Sequence, residues 1–144
     1  MLNKDWIENR IPHQGNMCLL HRVIDWDDQH IVCEGLSHRD ETNPLRSNGR
    51  LGSAIGVEYA AQAMAIHGAL LENFASAPAV GYLTSLRGLT LFVDRLDDCS
   101  GPLQIFAKRL TGDSQLILYQ FEIHHQDRCL LEGRASVVMD VQTA

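Results

Sequence analysis

The chain has 144 residues, 45% hydrophobic and 21% charged, with a formal charge of −6; this is the composition of one ordinary globular core rather than of a disordered tail. The negative balance and the lack of any basic run argue against a nucleic-acid partner, which needs a concentrated Lys/Arg surface. No stretch approaches the roughly 20 apolar residues of a membrane span, and MLNKDWIENR carries no apolar leader core, so a cytoplasmic location is expected.

Cys18, Cys33, Cys99 and Cys129 are scattered and form no CxxC pair, which favours reduced, mostly buried thiols over a disulfide framework. No repeat or Pro/Gly/Ser linker divides the chain, so residues 1–144 are read as a single domain.

In chain order, HIVCEGLSH at residues 30–38 alternates Ile31, Cys33, Gly35 and Ser37 on one face with Val32, Glu34 and Leu36 on the other, the period of a strand. DETNPLRSNGR at 40–50 is turn chemistry throughout, hence a loop. From 53 to about 71, Ile55, Tyr59 or Ala60, Ala63, Ile66 and Leu70 recur at helical spacing with Ala, Gly and Ser on most other positions. Such a helix is apolar nearly all round and is expected to be buried on most sides. Residues 80–93, 103–110, 116–125 and 129–141 read as strands. Their connections, LDDCSGP, TGDS and HQDR, are short enough to join antiparallel neighbours. One long apolar helix and consecutive antiparallel strands give an α+β domain whose sheet curls around the helix.

The stretch IPHQGNMCLLHRV, residues 11–23, resembles the opening motif of the FabZ/FabA-type 3-hydroxyacyl-ACP dehydratases, typically LPHRYPFLLVDRV: Pro12, His13, Leu19, Arg22 and Val23 match it. VEYAAQAMA, residues 57–65, resembles that family's central-helix motif, placing Glu58 and Gln62 on its acidic residue and its glutamine. TSLRGLTLFVDRLDD and LEGRASV look more like the ApeP-like dehydratase subunit of aryl-polyene clusters than like housekeeping FabZ. The resemblance implies a hotdog fold and dehydration of carrier-bound 3-hydroxyacyl chains without metal or organic cofactor. One departure matters: the family's catalytic histidine lies fourteen residues before the helix carboxylate, where this chain has Pro44.

Such a dehydration needs a base for the C2 proton, an acid for the departing 3-hydroxyl and a donor for the thioester carbonyl. Glu58, flanked by Ile55, Gly56, Val57, Tyr59, Ala60 and Ala61, is expected to be buried in an apolar setting that favours its protonated form, fit to donate to the hydroxyl. The bland alternative is a buried glutamate satisfied by a backbone or Arg partner. Gln62, one turn on, is expected to orient the carboxyl or a water. Gly52, Ser53 and Gly56 at the helix start are expected to offer free backbone N–H groups to the thioester carbonyl.

His38 and His13 are the internal substitutes for the missing base, each more readily structural, and no histidine pair has metal-ligand spacing, so no metal site is expected. Arg39, Arg46 and Arg50 are the expected docking cations for an acidic acyl carrier protein bearing acyl-phosphopantetheine. Active sites of the resembled family lie at a dimer interface, so the missing histidine implies a second hotdog subunit that supplies it, a homodimer being the other arrangement. The competing readings are a hotdog acyl-CoA thioesterase and a non-catalytic acyl-binding or scaffold subunit.

Overall fold

The computed structural model describes residues 2–9, 15–71, 80–112 and 116–140. The chain opens with β1 (Leu2–Asn3) and a short helix, α1 (Lys4–Glu8), capped by Asn3, whose Oδ1 accepts from Trp6 N at 3.0 Å. Then come β2 (Arg22–Trp26), β3 (His30–Gly35), the central helix α2 (Gly56–Leu71), and strands β4 (Val80–Leu91), β5 (Leu103–Gly112), β6 (Leu116–His125) and β7 (Arg128–Asp140). The strands make one seven-stranded antiparallel sheet in the order β1-β2-β3-β5-β6-β7-β4. Helix α2 packs against β3, β5 and β6.

The alternation read at 30–38 holds within β3, where Ile31, Cys33 and Gly35 are buried toward the helix, but Glu34 on the other face is buried as well and the strand ends at Gly35, with Ser37–Arg39 in a 3-10 turn. On β6 the inward set is Ile117, Tyr119, Phe121 and Ile123. Burial in this core pushes the Cys33 thiol up to about 12, and all four cysteines are free. Helix and sheet meet closely at Gly56, where a Cβ would lie 2.7 Å from a Leu131 methyl, so a larger residue would force the Leu131 side chain to shift.

Two expectations are corrected. The connection after β4 does not join neighbouring strands: β4 pairs with β7, and β5 pairs with β3. Loop length alone permitted an adjacent hairpin, but β7 supplies the longer apolar partner for β4. In addition, β2 was not anticipated, because a β-bulge between Val23 and Asp25 interrupts its alternation. The loop at 40–50 is as expected: Asp40 Oδ1 accepts from Thr42 N and Asn43 Oδ1 from Leu45 N, each at 2.9 Å.

Candidate active site

Helix α2 presents two kinds of surface. Gly56, Val57, Tyr59, Ala60, Gln62, Ala63, Met64, Ile66, His67, Gly68 and Leu70 are buried. Glu58 is exposed and Ala61, Ala65 and Ala69 are partly so; their spacing of three and four residues makes one open stripe along the helix. The expected burial of Glu58 in apolar surroundings is therefore corrected for the single chain. The reason is geometric: the apolar residues beside Glu58 in sequence point into the core, about 100° away around the helix, and leave it on the uncovered side.

Gln62 is also placed differently from expectation. Its Oε1 accepts from Leu19 N at 2.8 Å and its Nε2 donates to Met17 O at 2.7 Å, so both ends of the amide hold the opening segment and neither is left to orient Glu58. A second tie runs alongside. Ser37 Oγ donates to Leu19 O at 2.7 Å and so accepts from the Tyr59 hydroxyl at 2.8 Å, which in turn accepts from Asn43 Nδ2 at 3.1 Å. This directed chain links four polar groups, from the half-buried Ser37 to the buried Tyr59 and Asn43, and burial raises the Tyr59 phenol above its ordinary value of 10.0. Three of the matched motif residues are structural as well: Leu19 and Val23 are buried, and Arg22 bonds Glu34 across the β2–β3 ladder at 3.0 Å, while Pro12 lies outside the described residues. His13 lies outside the described residues.

His38 is fully buried with Nε2 donating to Cys99 O at 3.1 Å, and burial lowers it below its ordinary 6.5. It anchors the turn after β3 to the β4–β5 connection rather than serving as an exposed base. The helix start is likewise committed. Ser53 N donates to Asp94 O at 3.0 Å, Ile55 N to Gly52 O at 3.1 Å, and Gly56 N to Ala54 O and Ser53 O. The expected row of free amides is thus corrected at Ser53 and Gly56, and Gly52 serves as a bridge partner of Arg95. Just before it, Leu51 N donates to Asp97 Oδ1 at 2.9 Å, and the Arg95 guanidinium paired with Asp97 holds that carboxyl well below the usual carboxylate range.

The three loop arginines all donate to backbone carbonyls: Arg39 to Asp97 O, Arg46 to Gly49 O and His38 O, and Arg50 to Asp94 O. Arg39 and Arg50 remain exposed. A cavity of about 530 Å³ opens between the β4–β5 connection and the β6–β7 turn, lined by Phe92, Arg95, Cys99, His125, Arg128 and neighbours, and neither Glu58 nor the 40–50 loop is among its walls.

A family model described as ApeP-like, ApeP dehydratase, matches residues 6–144. The chain belongs to the ApeP-like dehydratase family. Its activity class is accordingly that of a dehydratase, on a hotdog α+β fold. No curated protein matches its sequence. Among solved structures it is similar to a chain of the dehydratase heterocomplex ApeI:P from Xenorhabdus doucetiae, with a TM-score of 0.84 and 24% identity, covering 94% of this chain and 91% of that one. A thioesterase family protein from Silicibacter pomeroyi aligns with a TM-score of 0.67 at 11% identity, over 94% and 96% of the two chains. A thioesterase from Haemophilus influenzae aligns with a TM-score of 0.60 at 12% identity, over 83% and 77%. These likenesses establish the shared fold. Among the described residues no helix is long and apolar enough to cross a membrane.

Proposed function

We propose that this family member is one half of a dehydratase, presenting Glu58 to an active site completed by a second hotdog subunit, and that it removes water from 3-hydroxyacyl chains carried on an acyl carrier protein. The observation that carries the reading is the open stripe of α2: a carboxylate on an uncovered, alanine-lined face of an otherwise buried helix. An alanine stripe lets a partner approach closely, and a partner that covers it would strip water from Glu58 and favour its neutral, proton-donating form. The free edge supports the same arrangement. Among the described residues β4 is paired only with β7, and Leu83, Leu86, Leu91 and Phe92 on and just after it are 39–49% exposed, the profile of a strand that continues into another subunit. The ApeI:P structure, whose chain this one resembles, is itself a dehydratase heterocomplex.

In the complete site the partner's base takes the C2 proton, the electron pair forms the C2–C3 double bond, and the 3-hydroxyl leaves as water with the proton from Glu58. Arg39 and Arg50, exposed at the rim of the 40–50 loop, suit the acidic face of a carrier protein. Growing fatty acyl or polyene chains are the substrate class. The test is turnover of 3-hydroxyacyl carrier protein by the chain alone, by its partner alone and by the two together, with Glu58→Gln in the last. Activity confined to the pair and lost with Glu58→Gln is expected; full activity of the chain alone, or of the Glu58→Gln pair, would overturn the reading.

A further inference from the structure

The β6–β7 hairpin carries a cluster that dehydration does not use. On β6, Glu122 and His124 sit on the face turned away from α2, alternating with the buried Phe121 and Ile123. In an unbroken ladder Leu130 would stand opposite His124, since Ile123 faces Leu131. A β-bulge intervenes: His124 faces Cys129 instead, while Leu130 stays buried as the extra residue. The bulge thus brings Cys129 onto the outer face beside the other two. One ligand atom from each of Glu122, His124 and Cys129 lies within 4.8 Å of the others. Glu122 Oε1 is 3.5 Å from His124 Nε2 and 4.0 Å from Cys129 Sγ. Phe106 on β5 meets the His124 ring edge-on at 5.0 Å between centroids, which fixes the plane of the imidazole.

The geometry points to a site for one zinc-class divalent cation, ligated by Glu122, His124 and Cys129 on the outer face of this hairpin. Tetrahedral bonds of about 2.0–2.3 Å place neighbouring ligand atoms roughly 3.3–3.6 Å apart, so the carboxylate and imidazole already stand near ligand spacing, and the thiol, within 4.8 Å of both, has to move inward to complete the set. A thiolate, an imidazole and a carboxylate together select a borderline-soft metal over magnesium or calcium, which take oxygen. On binding, the Cys129 S–H bond breaks, its proton passes to solvent and Sγ bonds the metal, while His124 keeps one proton by carrying it on Nδ1. The partly exposed Glu122, 41% open at its side chain, leaves the fourth corner accessible to water.

The test is titration of the reduced, untagged full chain with Zn²⁺, and with Co²⁺ as a spectroscopic probe. One equivalent is expected to bind, Co²⁺ giving a thiolate-to-metal absorption band that Cys129→Ser removes, with at least tenfold weaker binding in His124→Ala and Glu122→Gln. Because Cys18, Cys33 and Cys99 are buried, native-state alkylation reports on Cys129, and saturating Zn²⁺ is expected to slow it at least tenfold in the unaltered protein. That measurement decides the matter should a variant misfold. Co²⁺ binding without the thiolate band, Zn²⁺ binding indifferent to all three substitutions, or Cys129 alkylation unchanged by Zn²⁺ would each overturn the site.

Discussion

Glu58 and Gln62 lie one turn apart on the same helix and belong to the same motif, yet they occupy opposite situations. Gln62 is buried with both amide atoms spent on the backbone of Met17 and Leu19, whereas Glu58 stands exposed. Gln62, with Tyr59, ties the opening segment to the helix; Glu58 ties the helix to nothing within the described chain. Motif membership therefore has two physical origins here, and each substitution should separate them.

The largest effect is expected from Gln62→Leu, which orphans the buried Leu19 N–H and strips the part-buried Met17 C=O of its donor, and should cost about 2–4 kcal/mol in denaturant unfolding. An unchanged midpoint would mean that the amide is not the clamp. Glu58→Gln should leave stability within about 0.5 kcal/mol while cutting turnover of the assembled pair roughly 100-fold or more; a stability loss matching that of Gln62→Leu would erase the contrast. Tyr59→Phe removes the middle hydroxyl of the Asn43–Tyr59–Ser37 chain, with an expected loss of about 1–2 kcal/mol by thermal melting.

The smallest effect concerns the far end of the helix. His67 Nε2 donates to Asp27 O at 2.8 Å, and its Nδ1 accepts from the Tyr119 hydroxyl at 2.7 Å. Burial lowers His67 below its ordinary 6.5 and raises Tyr119 to about 12. The folded state resists a proton that the unfolded chain accepts below pH 6.5. The stability His67 contributes is thus complete above that pH and declines on acidification toward the folded-state value, by at most about 1.4 kcal/mol per pH unit. Melting temperatures from pH 7.5 to 5 should fall less steeply in His67→Gln than in the unaltered chain.

The helix and its long strands were readable because apolar residues recur at the right periods, as at Ile66 and Leu70 on the helix or Ile31 and Cys33 and Ile117 and Tyr119 on the strands. The open side of α2 was not. Alanine counts as apolar in a periodicity, so Ala61, Ala65 and Ala69 look the same whether they face a core or an uncovered surface. Hydrogen bonding was equally hidden, since nothing local to Gln62 announces partners forty residues upstream. Nor could spacing reveal Cys129 beside His124, because a one-residue bulge decides which side of β7 the thiol takes. The placement of β4 next to β7 depended on the whole sheet rather than on the loop that follows it.

The bare flank of β4 has a practical consequence for anyone making this protein. Its amides and carbonyls, which meet no strand partner among the described residues and are studded with leucines, form a template for whatever extended backbone arrives first. Produced in isolation at high concentration, the chain should self-associate or precipitate. Synthesis side by side with the proposed second subunit would quench that stickiness at its source.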